Sequence, residues 1–313
     1  MAFISQIRSK LIKSNLKFTA RVRIMTTKEL FQRSLPITIE TYTLVQCLGD
    51  GGTAVVYKAI HDSGSFALKV FEYQDQNWEV VQGYMLNEVK ALHKCDSNKN
   101  IVKMVDQSYE STATDGHGNK FACAFIALEL LPKGDLFDFV QISLFSEDLV
   151  RYCLRQILEA TWKMKLEGFV HLDLKLENIM LDMDMNIKVC DFGFAQESVG
   201  PNSDSLLTCF CGTKNYMSPQ IIYRTPFFGE QADLFAIGVC AFAMRAGCFP
   251  WHIATNKDSY FSLLSYSGAE AFFEKHESRL GGEGYFSAEF KDFLALIWTQ
   301  KLTIQTAYHH PFM

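Results

Sequence analysis

The apolar pattern changes period at Leu131-Pro132-Lys133-Gly134, and this change constrains the fold more than any other feature of the chain. Upstream, short runs rich in β-branched and aromatic residues read as strands: Tyr42–Leu48, Val55–Ile60, Phe66–Phe71, Ile101–Val105 and Phe121–Leu130. A Gly/Asn/Asp-rich loop is predicted at Thr112–Lys120, and one helix at Gln82–Lys94, with Met85, Val89 and Leu92 on a single face. Downstream the period is helical. Ser146–Leu166 opens on Ser-Glu-Asp and aligns Val150, Leu154, Ile157, Leu158 and Thr161, and helical patterns dominate again beyond Pro219. Strands followed by helices predict an α+β fold of two lobes. The small antiparallel-sheet lobe with one helix covers about 42–130, the hinge about 129–133, and the larger, mainly helical lobe about 134–312.

Composition narrows the class. With 313 residues, 48% of them apolar, the chain can bury a large core, which excludes a disordered or collagenous protein. The longest uncharged apolar runs, Phe121–Leu128 and Leu234–Met244, are shorter than the roughly 18 residues of a membrane span, so no transmembrane segment is expected. Nine scattered cysteines without a C-x-x-C pair argue for a reducing compartment, the cytoplasm, with most of them acting as small buried hydrophobes; Cys209-Phe210-Cys211 is the one close pair. The net charge of −5 divides unevenly, into +7 over residues 1–35 and −12 over the rest. An acidic body does not suit nucleic acid. The basic leader, residues 1–41, reads as a disordered extension, with Met25 as an alternative start; a mitochondrial transit peptide is the other reading of the same composition.

Three segments carry chemistry. Gly49-Asp50-Gly51-Gly52-Thr53-Ala54-Val55-Val56 joins two strands, and its glycines let backbone N–H groups approach phosphate oxygens; a plain hairpin turn explains it equally well. Lys69, inside the next strand, is costly to bury without a partner such as Glu88 on the following helix. His171-Leu172-Asp173-Leu174-Lys175-Leu176-Glu177-Asn178, followed by Asp191-Phe192-Gly193, is far more specific. It supplies a carboxylate able to accept a hydroxyl proton (Asp173), a lysine able to offset charge (Lys175) and two hard oxygen ligands for Mg²⁺ (Asn178, Asp191). Its seven fixed residues would coincide by chance about once in 10⁹ starting positions.

These segments resemble the eukaryotic protein kinase superfamily over about residues 42–312. The resemblance implies ATP and two Mg²⁺ ions as cofactors, with Mn²⁺ able to substitute, and a protein substrate. It implies that Asp173 is the catalytic base, that Lys175 steadies the phosphoryl group, and that Asn178 and Asp191 hold the metal ions. Lys69, paired with Glu88, would hold the α- and β-phosphates. Leu48, Gly49, Asp50, Gly51, Gly52, Val56 and Ala67 would enclose the nucleotide, together with Glu129, Leu131 and Asp135, while Leu128 would be the gatekeeper. Phe192 would stack with His171 and Leu92, and Asp233 would tie down the catalytic-loop backbone. Lys175 and Thr213 are similar to the serine/threonine branch, and Gly134-Asp135-Leu136-Phe137 to the calcium/calmodulin-dependent kinase group. Asp135 and Glu177 resemble positions that bind an arginine upstream of the target hydroxyl, although ordinary solvated acids explain them equally well.

Several positions depart from the family. Ala54 replaces the third loop glycine, and Phe235-Ala236 replaces Trp-Ser. Leu172 stands where phosphorylation-activated kinases carry the arginine that pairs with the activation-loop phosphate, and Cys209 stands at the usual phosphothreonine. An activation loop that needs no phosphate is therefore expected. Gln220 and Lys301 replace a buried Glu–Arg pair, and residues 298–301 read about five positions short of the family pattern, or as an omission in the gene model. An active kinase is the leading expectation; the rival is a weak pseudokinase acting as a nucleotide-sensing scaffold.

Overall fold

The computed structural model describes residues 35–51, 54–72, 78–198 and 206–313. The chain divides into two compact units. One ends at Gly83 and resumes over Met104–Leu130; the other comprises Tyr84–Lys103 and Leu131–Met313.

The first unit is built on β1 (Ile37–Ile39), β2 (Tyr42–Asp50), β3 (Ala54–His61) and β4 (Gly64–Glu72). After helix α1 (Trp78–Lys94) come β5 (Met104–Thr114) and β6 (Lys120–Glu129). All neighbours are antiparallel, in the order β1-β2-β3-β4-β6-β5, and β1 pairs with both β2 and β5, so the sheet closes into a barrel. Strand alternation sends Val55, Tyr57, Leu68, Val70, Phe125 and Ala127 into the barrel core. Val56, Ala67 and Lys69 occupy the opposite face, where Val56 lies opposite Lys69 and Ala67 opposite Leu128.

Four expectations need adjustment here. Residues 37–39, grouped with the leader, form the strand that closes the barrel. The strand predicted at Ile101–Val105 begins instead at Met104 and runs to Thr114, and Ile101 makes only an isolated bridge to Val189. The predicted loop at Thr112–Lys120 shrinks accordingly to a tight turn in which Asp115 accepts hydrogen bonds from the amides of His117 and Asn119, both at 2.9 Å. Helix α1 also starts earlier than Gln82, at Trp78.

The second unit is mainly helical. Asp135 caps α2 (Leu136–Ile142), and Ser146 caps α3 (Glu147–Leu166), whose acidic first turn and basic last turn suit the helix dipole. Four short strands follow: β7 (Phe169–Val170), β8 (Ile179–Leu181), β9 (Ile187–Val189) and β10 (Gln196–Glu197). β11 (Leu206–Leu207) pairs with β12 (Phe227–Phe228) across the short helix α4 (Pro219–Ile222). Helix α5 (Gly229–Ala246) is apolar all round and buried along most of its length, the mark of a central helix. Helices α6 (Ser259–Ser262), α7 (Gly268–Leu280), α8 (Ala288–Trp298) and α9 (Ile304–Tyr308) complete the unit. Aromatic rings fill the space around α5, with Trp251 and Trp298 4.8 Å apart and Phe242 5.4 Å from Phe286. α8 approaches so closely that a Cβ on Gly238 would come within 2.7 Å of Trp298 Nε1. Among the described residues, no helix is long and apolar enough to cross a membrane.

Candidate active site

The catalytic loop follows β7. Its backbone is bent at Leu172, whose φ of 64° lies in the left-handed region that costs a branched residue roughly 1–3 kcal/mol. Asp233, buried on α5, holds that bend. Its Oδ2 accepts from the His171 amide and its Oδ1 from the Leu172 amide, both at 2.8 Å. Burial pushes the Asp233 carboxyl above its ordinary range, while these two donors favour the charged form. His171 braces the loop a second time. Its Nδ1 accepts from the Asp173 amide at 3.2 Å, so Nε2 carries the proton and donates to the Cys190 carbonyl at 3.0 Å. The His171 ring also packs against Phe192 at 4.9 Å, as expected.

Asp173 is the hub. Its Oδ1 accepts from the Thr213 hydroxyl at 2.8 Å, and its Oδ2 from Lys175 Nζ at 2.8 Å and from Asn178 Nδ2 at 3.3 Å. Lys175 also donates to Thr213 at 3.0 Å. The Asn178 amide nitrogen donates a second time, to the Asp173 carbonyl at 2.9 Å, which leaves its Oδ1 as the atom suited to a cation. The Cys190 amide donates to the Asn178 carbonyl at 2.8 Å, setting Asp191 beside Asn178. Asp191 itself has φ 61°. An amide oxygen and a carboxylate are hard oxygen donors of the kind that suits Mg²⁺.

The activation segment packs onto this loop. Gly212 has φ 100°, and a Cβ there would lie 2.6 Å from the Leu172 carbonyl oxygen, so only glycine fits. Leu172, Cys211, Met217, Ile221 and Phe227 form an apolar cluster, with Leu207 and Cys209 packed against it. The Tyr216 hydroxyl donates to Glu177 at 3.0 Å and accepts from the Leu176 amide at 3.4 Å. Asp135 spends one oxygen on the Asp138 amide. Its carboxyl is pushed up, first by burial and further by the nearby charges of Asp138 and Glu177.

The remaining predicted residues are distributed over both units. Leu48, Gly49, Asp50 and Gly51 lie along the β2–β3 hairpin, where the Gly51 amide donates to the Ala54 carbonyl at 3.0 Å; Gly52 lies outside the described residues. Lys69 is buried on β4, and its Nζ lies 5.7 Å from the Phe71 ring centroid. Glu129 ends β6. In the second unit Leu131 is buried, and so is Glu88 on α1, a helix tied to β10 by a Lys90–Glu197 ion pair of 2.5 Å. Among the described residues Gln220 Oε1 has no hydrogen-bond partner, and Lys301 is exposed, so these two do not restore the lost Glu–Arg pair.

A family model described as the protein kinase domain matches residues 42–313. The chain belongs to the protein kinase family. Among curated proteins, this kinase domain is 32% identical to CBL-interacting protein kinase 2 of Oryza sativa subsp. japonica, over 71% of this chain and 48% of the relative. It is 31% identical to the phosphorylase b kinase gamma catalytic chain, liver/testis isoform, of Mus musculus, over 72% of this chain and 54% of the relative. The maternal embryonic leucine zipper kinase of Xenopus tropicalis is 32% identical over 68% and 31%. The chain spans about half the length of the first two of these relatives. The similarities agree with a kinase of the serine/threonine type, similar to the calcium/calmodulin-dependent group.

Thr213, known from sequence only as a mark of the serine/threonine branch, is a direct partner of Asp173. The Tyr216–Glu177 bond and the sulfur contact between Cys209 and Cys211 were not anticipated. The spacing of the two cysteines was the one available signal for the latter.

Proposed function

We propose that this kinase domain transfers the γ-phosphoryl group of Mg·ATP to a serine or threonine hydroxyl of a protein. The observation that carries this reading is the Asp173 carboxylate, held from both oxygens by Thr213, Lys175 and Asn178. So held, it is oriented to accept the hydroxyl proton as the acceptor oxygen bonds to phosphorus. Lys175, 2.8 Å from Asp173, supplies positive charge where the transferring group becomes most anionic. Asn178 and Asp191 are assigned to two Mg²⁺ ions, which when bound neutralise the phosphate oxygens. Lys69 is assigned to the α- and β-phosphates, with Glu88 as the acid that pairs with it. Leu48, Gly49, Asp50, Gly51, Gly52, Val56, Ala67, Glu129, Leu131 and Asp135 are assigned to the nucleotide.

An arginine upstream of the acceptor is assigned to Asp135 and Glu177. The Glu177 charge lies close enough to raise the proton affinity of Asp135, a repulsion that an added cation relieves, and this supports the pairing. The activation segment is assigned an order that requires no phosphate, since Leu172 and Cys209 meet in an apolar cluster. The cytoplasm is the assigned compartment, on the scattered cysteines. The scaffold reading draws on Leu172, on Gln220, whose Oε1 has no hydrogen-bond partner among the described residues, on the exposed Lys301 and on the short 298–301 segment.

The test is transfer of labelled γ-phosphate to a degenerate Ser/Thr/Tyr peptide library. Transfer to Ser/Thr peptides enriched in upstream arginine is expected. A folded protein that binds ATP and transfers nothing would favour the scaffold.

A further inference from the structure

Cys209-Phe210-Cys211 ends immediately before Gly212 and Thr213, the two residues through which the activation segment meets the catalytic loop. The two sulfurs are in contact: Cys211 Sγ–H donates to Cys209 Sγ at 3.4 Å. Their surroundings differ. Cys209 is half-buried, whereas Cys211 is buried in the apolar cluster with Leu172 and Met217. The shared hydrogen bond draws the Cys209 thiol down to about 7, and the same bond, with burial, pushes Cys211 up. The accessible sulfur is thus the one that carries thiolate at neutral pH, with a protonated thiol directly behind it. An attacking thiolate backed by a resolving thiol is the arrangement that reacts with peroxides.

We propose that Cys209 and Cys211 form a peroxide-sensitive dithiol site whose oxidation to a disulfide switches the kinase off. In the first step the Cys209 thiolate attacks one peroxide oxygen and the O–O bond breaks. Cys209 becomes a sulfenic acid, and the second oxygen leaves as hydroxide, which takes a solvent proton to become water. In the second step Cys211 gives up its proton and attacks the Cys209 sulfur, and the S–O bond breaks. The departing hydroxyl leaves as water with that proton. Two thiols lose two electrons and one peroxide becomes two waters, so no further oxidant is needed. A dithiol reductant reverses the change by thiol–disulfide exchange.

The consequence for the active site follows from the backbone. A disulfide requires the sulfurs at about 2.05 Å, so closure must draw in a pair now 3.4 Å apart. Residues 209–211 have to rearrange, and the chain immediately beyond has no slack. Gly212 is pressed against the Leu172 carbonyl, and Thr213 holds Asp173 at 2.8 Å. The strain therefore falls on the Thr213–Asp173 contact. Loss of activity rests on the kinase reading above, whereas the thiol chemistry stands apart from it.

The experiment treats the purified full chain with graded hydrogen peroxide and blocks the remaining thiols with one alkylating label. Reduction and a second label then mark every oxidised cysteine, which peptide mass mapping locates. Cys209 and Cys211 are expected to acquire the second label together, ahead of the exposed Cys248. Peptide phosphorylation is expected to fall about a hundredfold, the scale of a 1 Å misplacement at a reacting group, and to return with dithiothreitol. Cys209→Ser should resist peroxide, and Cys211→Ser should accumulate a sulfenic acid at Cys209 that dimedone captures. The site is refuted if Cys209 and Cys211 keep the first label at peroxide levels that oxidise Cys248. The switch is refuted if the disulfide forms in an active enzyme and its rate is unchanged, or if Cys209→Ser is inactivated like the parent chain. If the untreated chain transfers no phosphate, the labelling result still decides the dithiol, and the kinase reading fails separately.

Discussion

The catalytic loop and the activation segment meet at Leu172 and Gly212, yet opposite kinds of interaction hold them. The loop is fixed by charge-assisted hydrogen bonds: two amides on Asp233, and Lys175, Thr213 and Asn178 on Asp173. Such bonds are directional, so they can maintain a left-handed Leu172 and aim a carboxylate. Around Leu172, Cys211, Met217, Ile221 and Phe227 the activation segment is fixed by an apolar contact without direction or charge, and at Thr213 and Tyr216 it adds hydrogen bonds to Asp173 and Glu177. A segment anchored by an arginine–phosphate pair is ordered only when the phosphate is present. One anchored by apolar burial is ordered as soon as it folds. Leu172 serves both regions, its backbone held by Asp233 and its side chain in the cluster.

The sharpest way to break this contrast is Asp233→Ala, which removes both acceptors from the bent loop. A loss of about 4 kcal/mol in urea unfolding is expected, with phosphotransfer abolished. Gly212→Ala attacks the seam itself, because a Cβ would strike the Leu172 carbonyl at a positive φ. It should cost about 3 kcal/mol and lower the turnover number more than the affinity for ATP, read from steady-state kinetics. Leu172→Ala should cost about 2.5 kcal/mol by thinning the cluster, and should speed proteolysis near residues 206–217 while the rest of the domain stays protected. The smallest effect is expected from Thr208→Ala, which removes the exposed hydroxyl beside Cys209. Its activity should stay within about twofold of the parent, since surface changes away from packed groups are close to neutral. Abolished activity in that variant would return the segment to phosphate control.

The two regions also differ in how far they could be read in advance. The catalytic loop is local: His171 to Asn178 fall within eight residues, and Asp191 follows just past the adjacent hairpin, so the motif that carries the resemblance lies in one short stretch of sequence. The apolar cluster draws on residues from Val170 to Ala232, and no periodicity links them. The barrel shows the same limit. Ile37–Ile39 is three residues long at the end of a basic stretch, and only its pairing with Thr43 and Thr114 makes it a strand. The polar run Asp106–Glu110 lacks strand alternation, yet it is carried into β5 by pairing along β6. Local chemistry is legible in sequence, whereas contacts that depend on distant closure are not.

The most direct test of the account uses protein made free of phosphate, confirmed by intact mass, with Asp173→Asn beside it. The initial rate of γ-phosphate transfer from Mg·ATP to a Ser/Thr peptide is then measured. The account requires immediate transfer without a lag, reduced by about 10²–10⁴ in the Asp173→Asn protein. A folded, ATP-binding, phosphate-free protein that transfers nothing until a second kinase phosphorylates it would contradict the apolar anchoring of the activation segment. Equal rates in the two proteins would contradict the role of Asp173.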